Sequence, residues 1–384
     1  MRRILEVINL AQSAVSFIGD QMSYLQENGD YEVHLICSPG DHLQQFCEEQ
    51  KIKYKAIPLN RQLTPLQDIK AFFCICDYIR KNKIDIVFCH QAKARTIAIP
   101  ASFIMRVKHR IIFAHGVLHE TMRGLKRCVV LNNDRLLGRL ATRIICVSHY
   151  VADYRLKDKI DKEEKQVIIG HGSCSGIDVD YQFNPGLLDG NIVLGLKREL
   201  GLQDDDFVIG FCGRLVKDKG IDELSDAISI LCKRNPNKAI KLLIIGSPEK
   251  RDAVDQHVLE SLFDNPHVIF TGRVPSSNMA YYYSLMDVFV LPSHRDGLGL
   301  VSLEAQAMEV PSIVSSITGC RETIIENVTG KYCELSGDSI ASSIEFFFDK
   351  EKAKSMGKEG RLFVERCFNH NLFKKDILKF VNTL

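Results

Sequence analysis

The 384-residue chain has no tryptophan, no CxxC pair and no apolar run near the ~18 residues that would span a bilayer. Its 13 cysteines are an odd number without the paired knuckles of a zinc site, and Cys74 and Cys76 form only a CxC. Free thiols packed as small hydrophobes in a reducing cytosol are therefore expected. The apolar start at Ile4 is short and broken by Glu6 and Asn9, which reads against a secretory leader. A net charge of +2 argues against a general nucleic-acid binder. The G-x-G-x-x-G fingerprint follows no candidate strand, since GFCGRL has glycines only at Gly210 and Gly213, and the Walker sequence is missing too. A nucleotide bound here must be held another way.

What is present is an apolar fraction of 45% with 26% charged residues and no low-complexity tract, which describes a globular chain long enough for two domains. Residues 1–180 hold 26 Lys and Arg against 20 Asp and Glu, a net of +6, leaving the remainder at −4. From Lys93 to Arg143 there are eleven basic residues and two acidic ones, so one face of the first domain should attract anions.

Short apolar runs alternate with amphipathic ones. RILEVINL, YEVHLICS, IDIVFCH, RIIFAHG and TRIICVS read as buried strands of a parallel sheet, each followed by a helix-length segment. The pattern weakens through GSCSGIDVDYQFNPGLLDGN and restarts with DFVIGFCGRL, IKLLIIGS, HVIFTGRV, DVFVLPS and PSIVSS. The fold class expected is α/β, with two doubly wound Rossmann-like domains facing a cleft. The boundaries expected are 1–183, 184–368 and a helix over 369–384 packing back on the first domain.

GFCGRLVKDKGIDEL places Arg214 and Lys219 in a strand-to-helix turn, where an arginine fork and a mobile ammonium suit a diphosphate. Two solvated surface cations are the plainer reading of that segment taken alone. SHRDGLGLVSLEAQAM adds a second turn. Gly297 and Gly299 clear space for a phosphate to meet backbone N–H groups at the start of a helix from about Leu300. Glu304, one turn in, suits a ribose diol, and Asp296 would lie beyond the phosphates and reach whatever they carry. His115 ends strand RIIFA and is either a polar loop residue or a group projecting toward a ligand. His119 and His90 carry weaker signals, although His90 also ends a strand.

With these residues in hand, the chain resembles a family. Asp296 and Glu304 reproduce the E-x7-E signature of the retaining glycosyltransferases of the GT-B fold, family 4, with Asp where the first Glu is usual. GRLVKDKG is similar to that family's phosphate-binding turn, and DVFVLPSHRDGLGLVSLEAQAMEVPSIVSSITGCRETIIENVTG to its donor block. HGSCSGIDVDYQF resembles the junction of bacterial surface-polysaccharide members.

The resemblance implies that Arg214 and Lys219 neutralise a leaving nucleoside diphosphate, so no metal or other cofactor is expected. Asp178 and Asp180, which have DxD spacing, then read as structural. It implies that Glu304 binds ribose, that Gly297, Leu298, Gly299, Leu300 and Val301 surround the phosphates, and that Arg273 and Val274 meet the base edge. Asp296 would contact the sugar and His115 the reacting centre. Gly19, His115 and His119 would lie on the acceptor side.

The function implied is transfer of a hexosyl or N-acetylhexosaminyl group from a UDP-linked donor to a polyprenyl-phosphate-type lipid-linked glycan. The product would be a bacterial O-antigen, capsule or similar surface polysaccharide. A nucleotide-sugar epimerase on the same fold and a non-catalytic partner subunit are the alternatives. Arg123, Lys126, Arg127, Arg135 and Arg139, with Arg143 continuing a helical spacing among leucines, suggest either a solvated helix or a face lying on an anionic inner membrane. The location expected is cytoplasmic, peripheral to that membrane.

Overall fold

A computed structural model describes residues 1–384 except 42, 61, 63, 250 and 251. The chain forms two compact units, Met1–Gly176 with Asn371–Leu384, and Ile177–His370. The first contains seven parallel strands: β1 (Arg2–Leu10), β2 (Tyr31–Ser38), β3 (Lys53–Ala56), β4 (Ile86–His90), β5 (His109–Ala114), β6 (Arg143–Cys146) and β7 (Gln166–Val167). Their order across the sheet is β3-β2-β1-β4-β5-β6-β7. The second contains six more: β8 (Phe207–Cys212), β9 (Ile240–Ile245), β10 (Val268–Gly272), β11 (Val288–Leu291), β12 (Ser312–Ser315) and β13 (Gly330–Cys333), ordered β10-β9-β8-β11-β12-β13.

Continuous apolar strands are what a sheet covered by helices on both faces requires. Ile4, Leu5, Val7, Ile86, Val87, Ile111, Ile112, Val208, Leu242, Val288 and Val290 are all buried. In each sheet the strand order reverses once, between β1 and β4 and between β8 and β11, and open α/β sheets bind ligands at the carboxyl ends beside such a reversal.

The boundary falls several residues before the expected 183/184. Ile177 N–H donates to the Phe368 carbonyl at 2.7 Å, and Arg361 donates to the carbonyls of Val179 and Phe183. Phe183 also packs on Tyr283. These bonds tie residues 177–183 to the second unit. The last helix, His370–Thr383, returns to the first unit, where Phe373, Ile377 and Val381 are buried and Lys374 pairs with Asp20.

Candidate active site

Two turns leave the neighbouring strands β8 and β11 at their carboxyl ends, residues 213–220 and 292–299. They are clasped to each other. Lys219 forms an ion pair with Asp296, and Arg295 pairs with Asp218. The His294 N–H donates to the Asp218 carbonyl at 2.9 Å, and its Nε2 lies 2.8 Å from Glu223 Oε1. Gly220, at φ +69°, passes so close that a Cβ there would stand 2.0 Å from the Pro292 carbonyl oxygen, so any side chain would push the turns apart.

The second turn ends at Gly299, whose left-handed backbone (φ +83°) caps the helix Leu300–Ala307. Gly297, Leu298 and Gly299 are buried, and Leu300 and Val301 partly so. The first N–H groups of this helix have no partner within it, which makes its start an anion site in principle. The Lys219 and Asp296 side chains are only 16% and 19% exposed, so solvent screens their charges weakly. Burial pulls the Lys219 ammonium down, but Asp296 more than offsets it and leaves the pKa above the ordinary value.

Glu304 sits one turn into the helix, and the buried Tyr283 donates its hydroxyl to Glu304 Oε2 at 2.8 Å. Burial raises this carboxyl above the usual range, with the tyrosine bond acting in the opposite direction. Tyr283 escaped the sequence analysis. Its signal is weak, one tyrosine of the run YYY, 21 residues before its partner. Arg214 is half-exposed and bonded to Glu249 at 3.0 Å. Arg273 is exposed and Val274 partly buried, just beyond edge strand β10.

In the first unit, His90 ends β4 and His115 follows β5. His90 Nδ1 lies 3.1 Å from His115 Nε2, and His90 Nε2 lies 2.9 Å from Glu6 Oε2. The His115 ring stacks on Phe17 and Phe113. Burial, then the neighbouring His90 and Arg95, hold His115 well below the ordinary histidine pKa, so it is neutral. Gly19 lies in the turn after the helix Ala11–Phe17, at φ +53°.

Several expectations need correction. His119 is fully buried and bonded to Asp158 at 2.8 Å, so it anchors the fold rather than offering an acceptor contact. Arg127 bonds the same carboxylate and Arg135 the Asp158 carbonyl, so neither is a free cation. Arg143 begins β6, because the helix Gly124–Leu140 ends before it. Arg123, Lys126 and Arg139 are exposed. Asp178 accepts the Tyr181 N–H at 3.0 Å in its own turn.

This arrangement has recognisable relatives. Residues 195–363 match the family model for glycosyl transferases group 1, and residues 14–172 that for Glycosyltransferase Family 4. Over 385 residues the chain is 32% identical to the capsular polysaccharide biosynthesis glycosyltransferase CapM of Staphylococcus aureus, covering 100% of this chain and 97% of that one. The chain belongs to the family 4 glycosyltransferases.

A more distant relative of this glycosyltransferase is the UDP-Gal:alpha-D-GlcNAc-diphosphoundecaprenol alpha-1,3-galactosyltransferase of Escherichia coli, 24% identical over 359 residues, 93% of this chain and 90% of that one. Among solved structures, Anabaena Alr3699/HepE in complex with UDP and glucose superposes with a TM-score of 0.81 over 100% of both chains at 16% identity. A glycosyltransferase from Rickettsia africae gives 0.77 over 99% and 97% at 19% identity. At such identities the likeness speaks to the fold, which is GT-B. Within that fold the first family model spans both clasped turns and Glu304, and the second spans His90 and His115.

Proposed function

We propose that this glycosyltransferase moves one sugar from a UDP-linked donor to a lipid-linked glycan in surface polysaccharide biosynthesis, with retention at the anomeric carbon and without a metal ion. The observation that carries the reading is the clasp at the β8/β11 reversal, where a largely buried, weakly screened lysine–aspartate pair stands beside the glycine-capped start of a helix. Breaking an anomeric bond leaves negative charge on the departing diphosphate, so a fixed ammonium and oriented N–H groups stabilise the transition state more than the ground state. Lys219, the start of the helix and Arg214 supply that charge, with Arg214 exchanging Glu249 for phosphate. Asp296 holds Lys219 and offers its second oxygen to a sugar hydroxyl. Tyr283 occupies one oxygen of Glu304, and the other accepts from the ribose.

No side chain need act as nucleophile if the acceptor hydroxyl attacks the face the phosphate leaves, with a phosphate oxygen taking its proton. The role proposed for His115 is at the reacting centre. The donor and acceptor assignments lean on the relatives, since the Escherichia coli enzyme is named for UDP-galactose and a diphosphoundecaprenol acceptor and the Anabaena protein was crystallised with UDP and glucose. A lipid-linked acceptor brings the enzyme to the inner face of the cytoplasmic membrane as a peripheral protein. Among the described residues no helix is long and apolar enough to cross it.

The test is calorimetric titration of UDP and GDP in EDTA, on wild type and on Arg214→Ala and Glu304→Ala. UDP should bind more tightly than GDP, and each variant should lose about tenfold or more, the ~1.5–3 kcal/mol of a hydrogen bond to a charged group. A folded wild type that binds neither nucleotide would leave the non-catalytic partner as the better reading.

A further inference from the structure

Three side chains climb one face of the first sheet toward its carboxyl edge. In the β1/β4 register Glu6 stands opposite Phe88, so His90, two residues on, shares Glu6's face. In the β4/β5 register His90 stands opposite Phe113, and His115 lies two residues further. Glu6 is fully buried and His90 1% exposed, whereas His115 is partly exposed. The contacts run unbroken, Glu6 Oε2 to His90 Nε2 at 2.9 Å and His90 Nδ1 to His115 Nε2 at 3.1 Å. Phe113 stacks on His90 with ring centroids 4.6 Å apart, and Phe17 on His115 at 5.1 Å, so neither ring is free to turn. Glu6 Oε1 has no hydrogen-bond partner, an uncommon state for a buried carboxylate oxygen.

We infer that Glu6 and His90 are positioning residues that fix the tautomer of His115, placing its proton on Nε2 and leaving Nδ1 bare as an acceptor. This rests on the proposed role of His115 at the reacting centre. The proton order follows from the ends of the chain. A carboxylate accepts only, so His90 Nε2 must donate to it. With His90 neutral, its Nδ1 is bare and must receive a proton, and His115 Nε2–H is the donor that faces it. A neutral His115 can hold no second proton, so Nδ1 keeps its lone pair for a hydroxyl of the sugar or acceptor. A second-layer carboxylate that sets a histidine's tautomer is a recurrent device in active sites.

The test reads the ring directly. Nitrogen-15 spectra of histidine-labelled wild type at pH 7.5 should show His115 protonated at Nε2 and unprotonated at Nδ1. A proton on Nδ1 overturns the proposal without any variant. Glu6→Gln, nearly isosteric, lets the amide donate to His90 as well as accept from it. It should introduce the Nδ1–H form of His115 and lower kcat about tenfold or more, with donor KM within about twofold of wild type.

An unchanged spectrum and kcat in Glu6→Gln would overturn the relay, as would a loss of kcat with no change of tautomer. Should that variant fail to fold, His90→Gln tests the same link: its amide can still accept from His115, so less Nδ1–H form should appear than in His90→Phe. Equal spectra in those two would count against the proposal. His115→Gln separates the two claims. Full activity there would remove His115 from the reacting centre, whatever Glu6 does to its tautomer.

Discussion

Tyr283 donates to Glu304 where burial already raises that carboxyl, so a charge is maintained in a place that resists it. The folded pKa lies above the ordinary 4.5, so the stability this group contributes is fully present below that value and is lost as pH rises through the folded pKa. At neutral pH the carboxylate is thus a burden on the fold that ligand binding must justify. Glu304→Gln keeps an acceptor for Tyr283 without the charge. It should raise Tm at pH 7 while weakening UDP binding about tenfold, since a hydrogen bond to an ionised acceptor is worth roughly 1.5–3 kcal/mol. Wild-type affinity should also fall on acidification, and that of the variant should not. A lower Tm with unchanged affinity would make Glu304 only an anchor for Tyr283. The Asp296–Glu304 spacing was legible in sequence because it is local. The Lys219–Asp296 and Tyr283–Glu304 bonds were not, because each depends on strands pairing across tens of residues. Glu6 registered only as an interruption of an apolar run, and the β1/β4 register was needed to bring it to His90.

Helices and strands divide in the same way. Ten strands declared themselves as apolar runs, most because both of their faces are covered, although edge strand β10 is only partly buried along its length. Three did not: β3, KYKA, lies at a sheet edge with three of four residues exposed, β7 has two residues, and β13, GKYC, is half covered. The helix Gly124–Leu140 was legible as basic, yet two of its arginines turn inward to Asp158, and its outer face is more apolar than the charges suggested. Leu125, Val129 and Leu136 are 81%, 61% and 51% exposed beside Arg123, Lys126 and Arg139. A face of that kind suits shallow insertion among anionic headgroups. Leu125→Ser with Val129→Ser should therefore reduce sedimentation with vesicles of phosphatidylglycerol at low salt, more than Arg135→Gln does. Equal retention by all three proteins would remove this helix from the membrane contact.

At the scale of the molecule, the chain leaves the first unit at Gly176 and returns to it at Asn371, so the first unit is completed by the last fourteen residues. Phe373, Ile377 and Val381 are buried there, Asn382 accepts from the Tyr31 hydroxyl at 2.6 Å, and Lys374 bonds Asp20 at 2.8 Å. Three such apolar side chains are together worth on the order of 5–9 kcal/mol, the size of a whole domain's net stability. The exit and return segments hold each other inside the second unit. His370 N–H donates to the Ile177 carbonyl at 2.9 Å, as Ile177 N–H does to Phe368. Deleting residues 371–384 should therefore strip hydrogen-exchange protection from β1, β2 and β4 while β8, β9 and β11 keep theirs, and UDP binding should survive. Protection lost to the same degree in both sheets would mean that the two units fold as one cooperative body, and that the donor site depends on the last helix through the first sheet.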